Sequence, residues 1–124
     1  MERIYRSNVR DLRKTLAMLG AVVAEVDSHL RYVWIDNPHP DFDARLVVGK
    51  RDDELISKVD AQQIMALKRE TFALQSPISR VLSFERSDGV RYYSLSAYPI
   101  REMNETVTAI LTVAFDQQPP AAKC

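Results

Sequence analysis

The chain has 124 residues, enough for one domain that buries about two-thirds of the surface its unfolded form exposes, and too few for two. Lysine plus arginine and aspartate plus glutamate each total 17, so no net field recruits nucleic acid or an anionic membrane. The single cysteine, Cys124, excludes an internal disulfide, no segment has the pattern of a signal peptide, and no apolar run approaches the roughly 20 residues of a bilayer span, so the expected compartment is the cytoplasm.

Glu2 to Leu19 lacks proline and glycine and spaces Tyr5, Val9, Leu12, Leu16 and Leu19 as one helical stripe, with Gly20 as its C-terminal stop. The remaining faces are basic through Arg3, Arg6, Arg10, Arg13 and Lys14, which reads as a solvated surface rather than a membrane anchor. The apolar stripe is the candidate dimer interface. Ala21 to Asp27 and Leu30 to Ile35 are β-branched runs about the turn residues Asp27-Ser28-His29, a predicted hairpin ended by Pro38 and Pro40. Asp41 is then placed to cap a short helix through Phe42 and Ala44, and Asp52, Asp53 and Glu54 suit the start of another, with Leu55 and Ile56 on its buried side.

Asp60 and Gln63 have capping-box spacing, with Val59 and Ile64 as a hydrophobic staple, which predicts a helix from Asp60 to about Leu74. Ile64, Leu67 and Leu74, flanked by Met65 and Phe72, form its apolar face, while Gln62, Lys68, Arg69 and Glu70 are expected to look outward. Three strands follow, near Ser79–Glu85, Arg91–Ile100 and Val107–Asp116. Asp88-Gly89 makes the first turn, and Asn104 is the residue expected to adopt a left-handed conformation in the second.

Little in this pattern carries chemistry. Gly20, Gly49 and Gly89 are too far apart for a phosphate-cradling loop, and His29 and His39 have no metal-ligand spacing. The carboxylate clusters Asp41/Asp43 and Asp52/Asp53/Glu54 read as caps and dipole partners. The enzymatic alternative is a small α+β cone, an isomerase or dehydratase, with Asp36 as a buried acid–base residue beside Tyr32 and Trp34. Element order disfavours it, because the long helix falls between the second and third strands.

Several motifs together define a resemblance. They are Asp27, Leu30-Arg31-Tyr32 and Trp34, Asn37-Pro38-His39-Pro40, Val48-Gly49-Lys50 with Asp53 and Leu55, Leu67-Lys68-Arg69, and Arg91-Tyr92-Tyr93. In this order they resemble a PAS domain, most closely those of HWE-type sensor histidine kinases. The resemblance implies an α+β fold with a five-stranded antiparallel sheet of order 2-1-5-4-3, helices over one face, and a flanking N-terminal helix that mediates dimerisation. It divides the chain into a flanking helix at 1–20, a PAS domain at 21–116 and a tail or linker at 117–124.

The implied activity is regulatory. A small ligand or partner protein is perceived, and an effector such as a two-component histidine kinase is controlled through a homodimer. The junction Asp116-Gln117-Gln118 departs from the Asp-hydrophobic-Thr end usual in kinase-linked PAS domains. By strand alternation and by resemblance, Tyr32, Trp34 and Asp36 face the cavity, joined by Phe42, Ile64, Leu67, Tyr93 and Leu95. The cofactor is left unassigned. Flavin–cysteine photochemistry is excluded because the only thiol is Cys124, and haem is disfavoured because Asp60 to Leu74 holds no histidine.

Overall fold

The computed structural model describes residues 2–117, with side chains from residue 10 onward. Helix α1, Glu2–Met18, stops where Gly20 takes φ +83°. There Gly20 N–H donates to Ala17 O and Ala21 N–H to Leu16 O, the two bonds of a Schellman end. Strand β1, Val22–Asp27, turns into β2, Tyr32–Asp36, through a loop in which Asp27 Oδ1 accepts the amides of His29 and Arg31 at 2.9 and 3.0 Å.

Helix α2, Ala44–Val47, is capped by Asp43, whose Oδ1 accepts Arg45 N–H at 2.9 Å. Asp41, expected to be this cap, instead accepts the amide of Ser87 at 2.8 Å and holds the loop to the far hairpin. A 3-10 turn at Asp52–Glu54 precedes helix α3, Lys58–Leu74. That helix starts two residues earlier than expected, because the Ser57 hydroxyl accepts Asp60 N–H at 3.3 Å and takes the cap. Asp60, freed from capping, accepts Glu85 N–H at 2.9 Å and ties α3 to the sheet. The staple is absent, with Val59 74% exposed, and Leu74 is exposed at the helix end.

Strands β3, Ile78–Arg86, β4, Gly89–Arg101, and β5, Val107–Gln117, complete one antiparallel sheet of order β2-β1-β5-β4-β3. The β4–β5 turn places Glu105, not Asn104, in the left-handed region at φ +68°, because Asn104 spends its side chain on Thr106 N–H. The main core lies between the inner sheet face and α2 and α3, around Val26, Met65, Leu67, Ala97 and Ile110. A smaller cluster on the opposite face, Ala21, Val23 and Val113, receives Leu16 of α1 together with Trp34 and Leu111.

One irregularity decides what each face carries. Val26 pairs with Tyr32 and Glu25 with Trp34, so Val33 is an extra residue and β2 bulges there. The Tyr32 amide donates to Lys50 O at 2.9 Å and its carbonyl accepts Gly49 N–H at 2.8 Å, so at this point the strand is drawn toward the Gly49 turn. A bulge reverses parity. Tyr32 and Ile35 therefore point inward, and Trp34 and Asp36 outward.

Candidate functional site

A cavity of about 90 Å³ sits between the inner sheet face and the helical segment. Val22 and Ala24 of β1, Leu95 of β4 and Ala114 of β5 form its floor, with Phe42, Val47, Leu55, Ile56 and Ile64 above. It is smaller than the roughly 150 Å³ engineered void that admits benzene, so its contents are limited to a few heavy atoms unless the walls move. The polar wall is made by Tyr32, His39, Asp52, Arg86, Tyr93 and Thr112.

Three of the buried polar groups form one unit. Asp52 Oδ1 accepts the Tyr32 hydroxyl at 2.5 Å, and Lys68 Nζ donates to Asp52 Oδ2 at 2.6 Å and to the Tyr32 oxygen at 3.0 Å. Lys68 is wholly buried, and Asp52 is 3% exposed. The expectation that Lys68 faces solvent is corrected. It belongs to the buried stripe Ala61, Ile64, Met65, Lys68 and Thr71 of α3, and its ammonium also lies 4.4 Å from the Tyr32 ring centre. Burial, then the charge of Asp52 and the hydrogen bond to it, hold the Tyr32 hydroxyl well above the ordinary tyrosine range. The hydroxyl is thus a permanent donor at neutral pH.

The His39 side chain is 8% exposed at the cavity edge, with both ring nitrogens engaged. Nδ1 accepts Asp41 N–H at 3.0 Å, and Nε2 meets Asp88 at 3.1 Å, an arrangement that fits the Nε2–H tautomer. Asp88 is held far below the usual carboxylate range by hydrogen bonds from Arg91 and then His39. These contacts pin the Asn37–Pro40 loop to the β3–β4 hairpin.

Of the eight residues expected to line the pocket, Tyr32, Phe42, Ile64, Tyr93 and Leu95 do so. Leu67 is fully buried in the adjoining core but does not reach the cavity. The inward placement of Trp34 and Asp36 is corrected by the bulge at Val33. On the outer face, the Arg13 guanidinium stacks 3.6 Å above the Trp34 ring and forks onto Asp36 with two 2.8 Å bonds. Trp34 Nε1 donates to Glu25 at 3.1 Å. An acid–base role for Asp36 inside the pocket falls with this geometry.

Asp52, Lys68 and Arg86 are the charged groups at the site that the sequence reading missed, and His39 and Thr112 are further polar wall residues that it did not place there. The register of α3 carries a signal for Lys68, which lies four residues after Ile64 and three after Met65. No comparable signal marks Asp52 among three consecutive acids.

In the proposed dimer stripe, Leu16 is half-buried against the outer cluster, whereas Leu12 and Leu19 are exposed. The side chains of Tyr5 and Val9 lie outside the described residues. Among the described residues, no helix is long and apolar enough to cross a membrane.

The sheet order and its helix-covered cavity define a PAS architecture, and the sequence agrees. The model of the PAS fold family matches residues 16–119, and the chain belongs to that family. PAS domains are generally regulatory rather than catalytic, and this one is a sensory domain. No curated protein matches the chain in sequence.

Solved structures share the fold at low identity. A PAS domain from Colwellia psychrerythraea superposes with a TM-score of 0.71 at 12% identity, covering 88% of this chain and 96% of that one. A sensory box sensor histidine kinase structure from Vibrio cholerae gives 0.64 at 17% identity over 96% and 100%. The Vibrio VqmA in complex with ligand and DNA gives 0.70 at 12% identity, over 83% of this chain; this chain spans 50% of VqmA.

Proposed function

We propose that this domain is the cytoplasmic sensory module of a two-component histidine kinase of the HWE type, and that occupancy of its cavity by a small molecule sets the kinase output. The observation that carries the reading is the position of β2. Tyr32 of this strand lines the cavity, and two residues on Trp34 holds α1 to the opposite face. A change in what Tyr32 contacts is thereby one strand bulge away from the flanking helix. The kinase assignment is supported by the Asn37-Pro38-His39-Pro40 and Gly49-Lys50 elements and by likeness of fold to the Vibrio kinase domain.

The output we infer is a population shift. Occupancy changes how the sheet packs on α1, and α1 pairs with its copy in a homodimer through Leu12 and Leu19, with Tyr5 and Val9 continuing the stripe. Native mass spectrometry of freshly purified protein tests the sensory reading, with a retained small-molecule mass expected and a clean apo mass at every cytosolic metabolite concentration tried counting against it. Sedimentation tests the dimer. The wild-type chain is expected to be dimeric and the pair Leu12→Asp and Leu19→Asp monomeric, and a monomeric wild type ends the dimer proposal.

A further inference from the structure

The charges around the cavity are matched with one exception. Lys68 neutralises Asp52, and both ring nitrogens of His39 are occupied. Arg86 forms no ion pair among the described residues. Its Nε is shielded from solvent and has no hydrogen-bond partner, and Nη1 reaches only Glu85 O at 3.3 Å. A shielded donor left unpaired is costly, and few such groups persist without a reason.

The geometry of Arg86 is that of a held anchor. It lies on the inner face of β3 two residues beyond Phe84 and contributes to the cavity wall. The guanidinium carbon is 4.9 Å from the Phe42 ring centre and 5.0 Å from that of Phe84, so two aromatic rings restrain the fork. Its charge opposes the effect of burial at the hydroxyls of both Tyr32 and Tyr93, and at Tyr93 it also acts by direct polar contact, so the guanidinium has a hydroxyl beside it but no counter-charge. Away from the polar wall of Tyr32, His39, Asp52, Tyr93 and Thr112, the space is apolar, walled by Val22, Ala24, Ile35, Leu55 and Leu95.

A planar fork with a free Nε–H matches a carboxylate in two parallel bonds, which a neutral ligand cannot reproduce. One unmatched cation balances one monoanion, and about 90 Å³ of mostly apolar space leaves room for a short hydrocarbon body. We propose that Arg86 anchors the carboxylate of a small organic acid whose apolar part fills the cavity between Ile35, Leu55 and Leu95. The inference deepens the sensory reading and rests on it.

Calorimetric titration of the full chain with acetate, propionate and isobutyrate, each beside its neutral amide, provides the test. At least one acid is expected to bind about tenfold or more tightly than its amide. Arg86→Met, which keeps the stem against the two rings, and Arg86→Gln are both expected to lose that preference while retaining the wild-type circular dichroism spectrum. In the wild type, the Arg86 Nε–H resonance is expected to shift during titration with the acid.

Equal binding of acid and amide, an acid preference that survives in both variants, or no binding by any of the acids overturns the proposal. Binding of the amides alone would leave the sensory cavity standing without the carboxylate anchor. If no acid or amide binds and no small molecule co-purifies, the sensory reading fails with it.

Discussion

The two faces of the sheet are each joined to a helix by the same three kinds of side chain, a cation, an aromatic ring and a carboxylate, and they differ in exposure. Inside, Lys68 of α3 meets Tyr32 and Asp52 with side chains 0% and 4% exposed for the ion pair. Outside, Arg13 of α1 meets Trp34 and Asp36 with its ion pair 35% and 26% exposed. Water decides what each is worth. A buried pair has lost its hydration and cannot regain it when one partner is removed, whereas a surface pair exchanges its contact for solvent at small cost. The inner trio is a fixed part of the fold, and the outer trio is a clip that can open while the fold persists.

The sharpest way to break this comparison is to remove one inner partner. Lys68→Met leaves Asp52 buried without its counter-charge and is expected to destabilise the domain by about 3–5 kcal/mol in urea unfolding. Adding Asp52→Asn is expected to restore part of that loss, since the carboxylate no longer needs a cation. Additive losses in the double variant would mean that the pair is not coupled.

The inner trio also carries a pH signature. The Tyr32 hydroxyl ionises less readily in the folded chain than in the unfolded one, so its contribution is complete below pH 10.0, the unperturbed value, and is lost as the pH rises through its higher folded value. Unfolding measured above pH 10 is expected to show stability falling by about 1.4 kcal/mol per pH unit from this group. Tyr32→Phe is expected to lessen the slope, leaving the smaller effect of Tyr93, whose hydroxyl is raised in the same direction by partial burial. An unchanged slope would remove Tyr32 from the account.

Opening the outer clip is expected to be milder. Arg13→Ala should cost at most about 1 kcal/mol, because solvent screens the pair and replaces the contact. Trp34 is the only tryptophan, so its emission reports undocking of α1 directly. A red shift with an intact urea transition is the expected result, and a loss of the whole transition would put the outer trio on a par with the inner one. The smallest effect belongs to the solvent side of α3. Val59→Ser is expected to change stability by less than about 0.5 kcal/mol, as Val59 is 74% exposed and staples nothing.

Local signals made much of the architecture readable. The α1 stripe ending at Gly20, the Asp27-Ser28-His29 and Asp88-Gly89 turns, and the three late strands all lie where short-range chemistry puts them. Each depends on backbone preferences within a few residues. Errors gather where two segments compete for one group. Ser57 outcompeted Asp60 as the cap of α3 because the Asp60 carboxylate finds Glu85 N–H on a strand 25 residues away. Asp41 is likewise recruited by Ser87, which left Asp43 to cap α2.

From its sequence alone this chain determined the number and order of its helices and strands, its family and a part of its cavity wall, Phe42, Ile64 and Leu95 with Tyr32 and Tyr93, because periodicity and turn chemistry act locally. Tertiary structure decided which face β2 gives to each side chain. One extra residue at Val33, drawn out by the bonds of Tyr32 to Gly49 and Lys50, sent Trp34 and Asp36 outward to Arg13. It also decided that Lys68 would be buried, since an ammonium enters a core only where a distant carboxylate such as Asp52 is already waiting to pair with it.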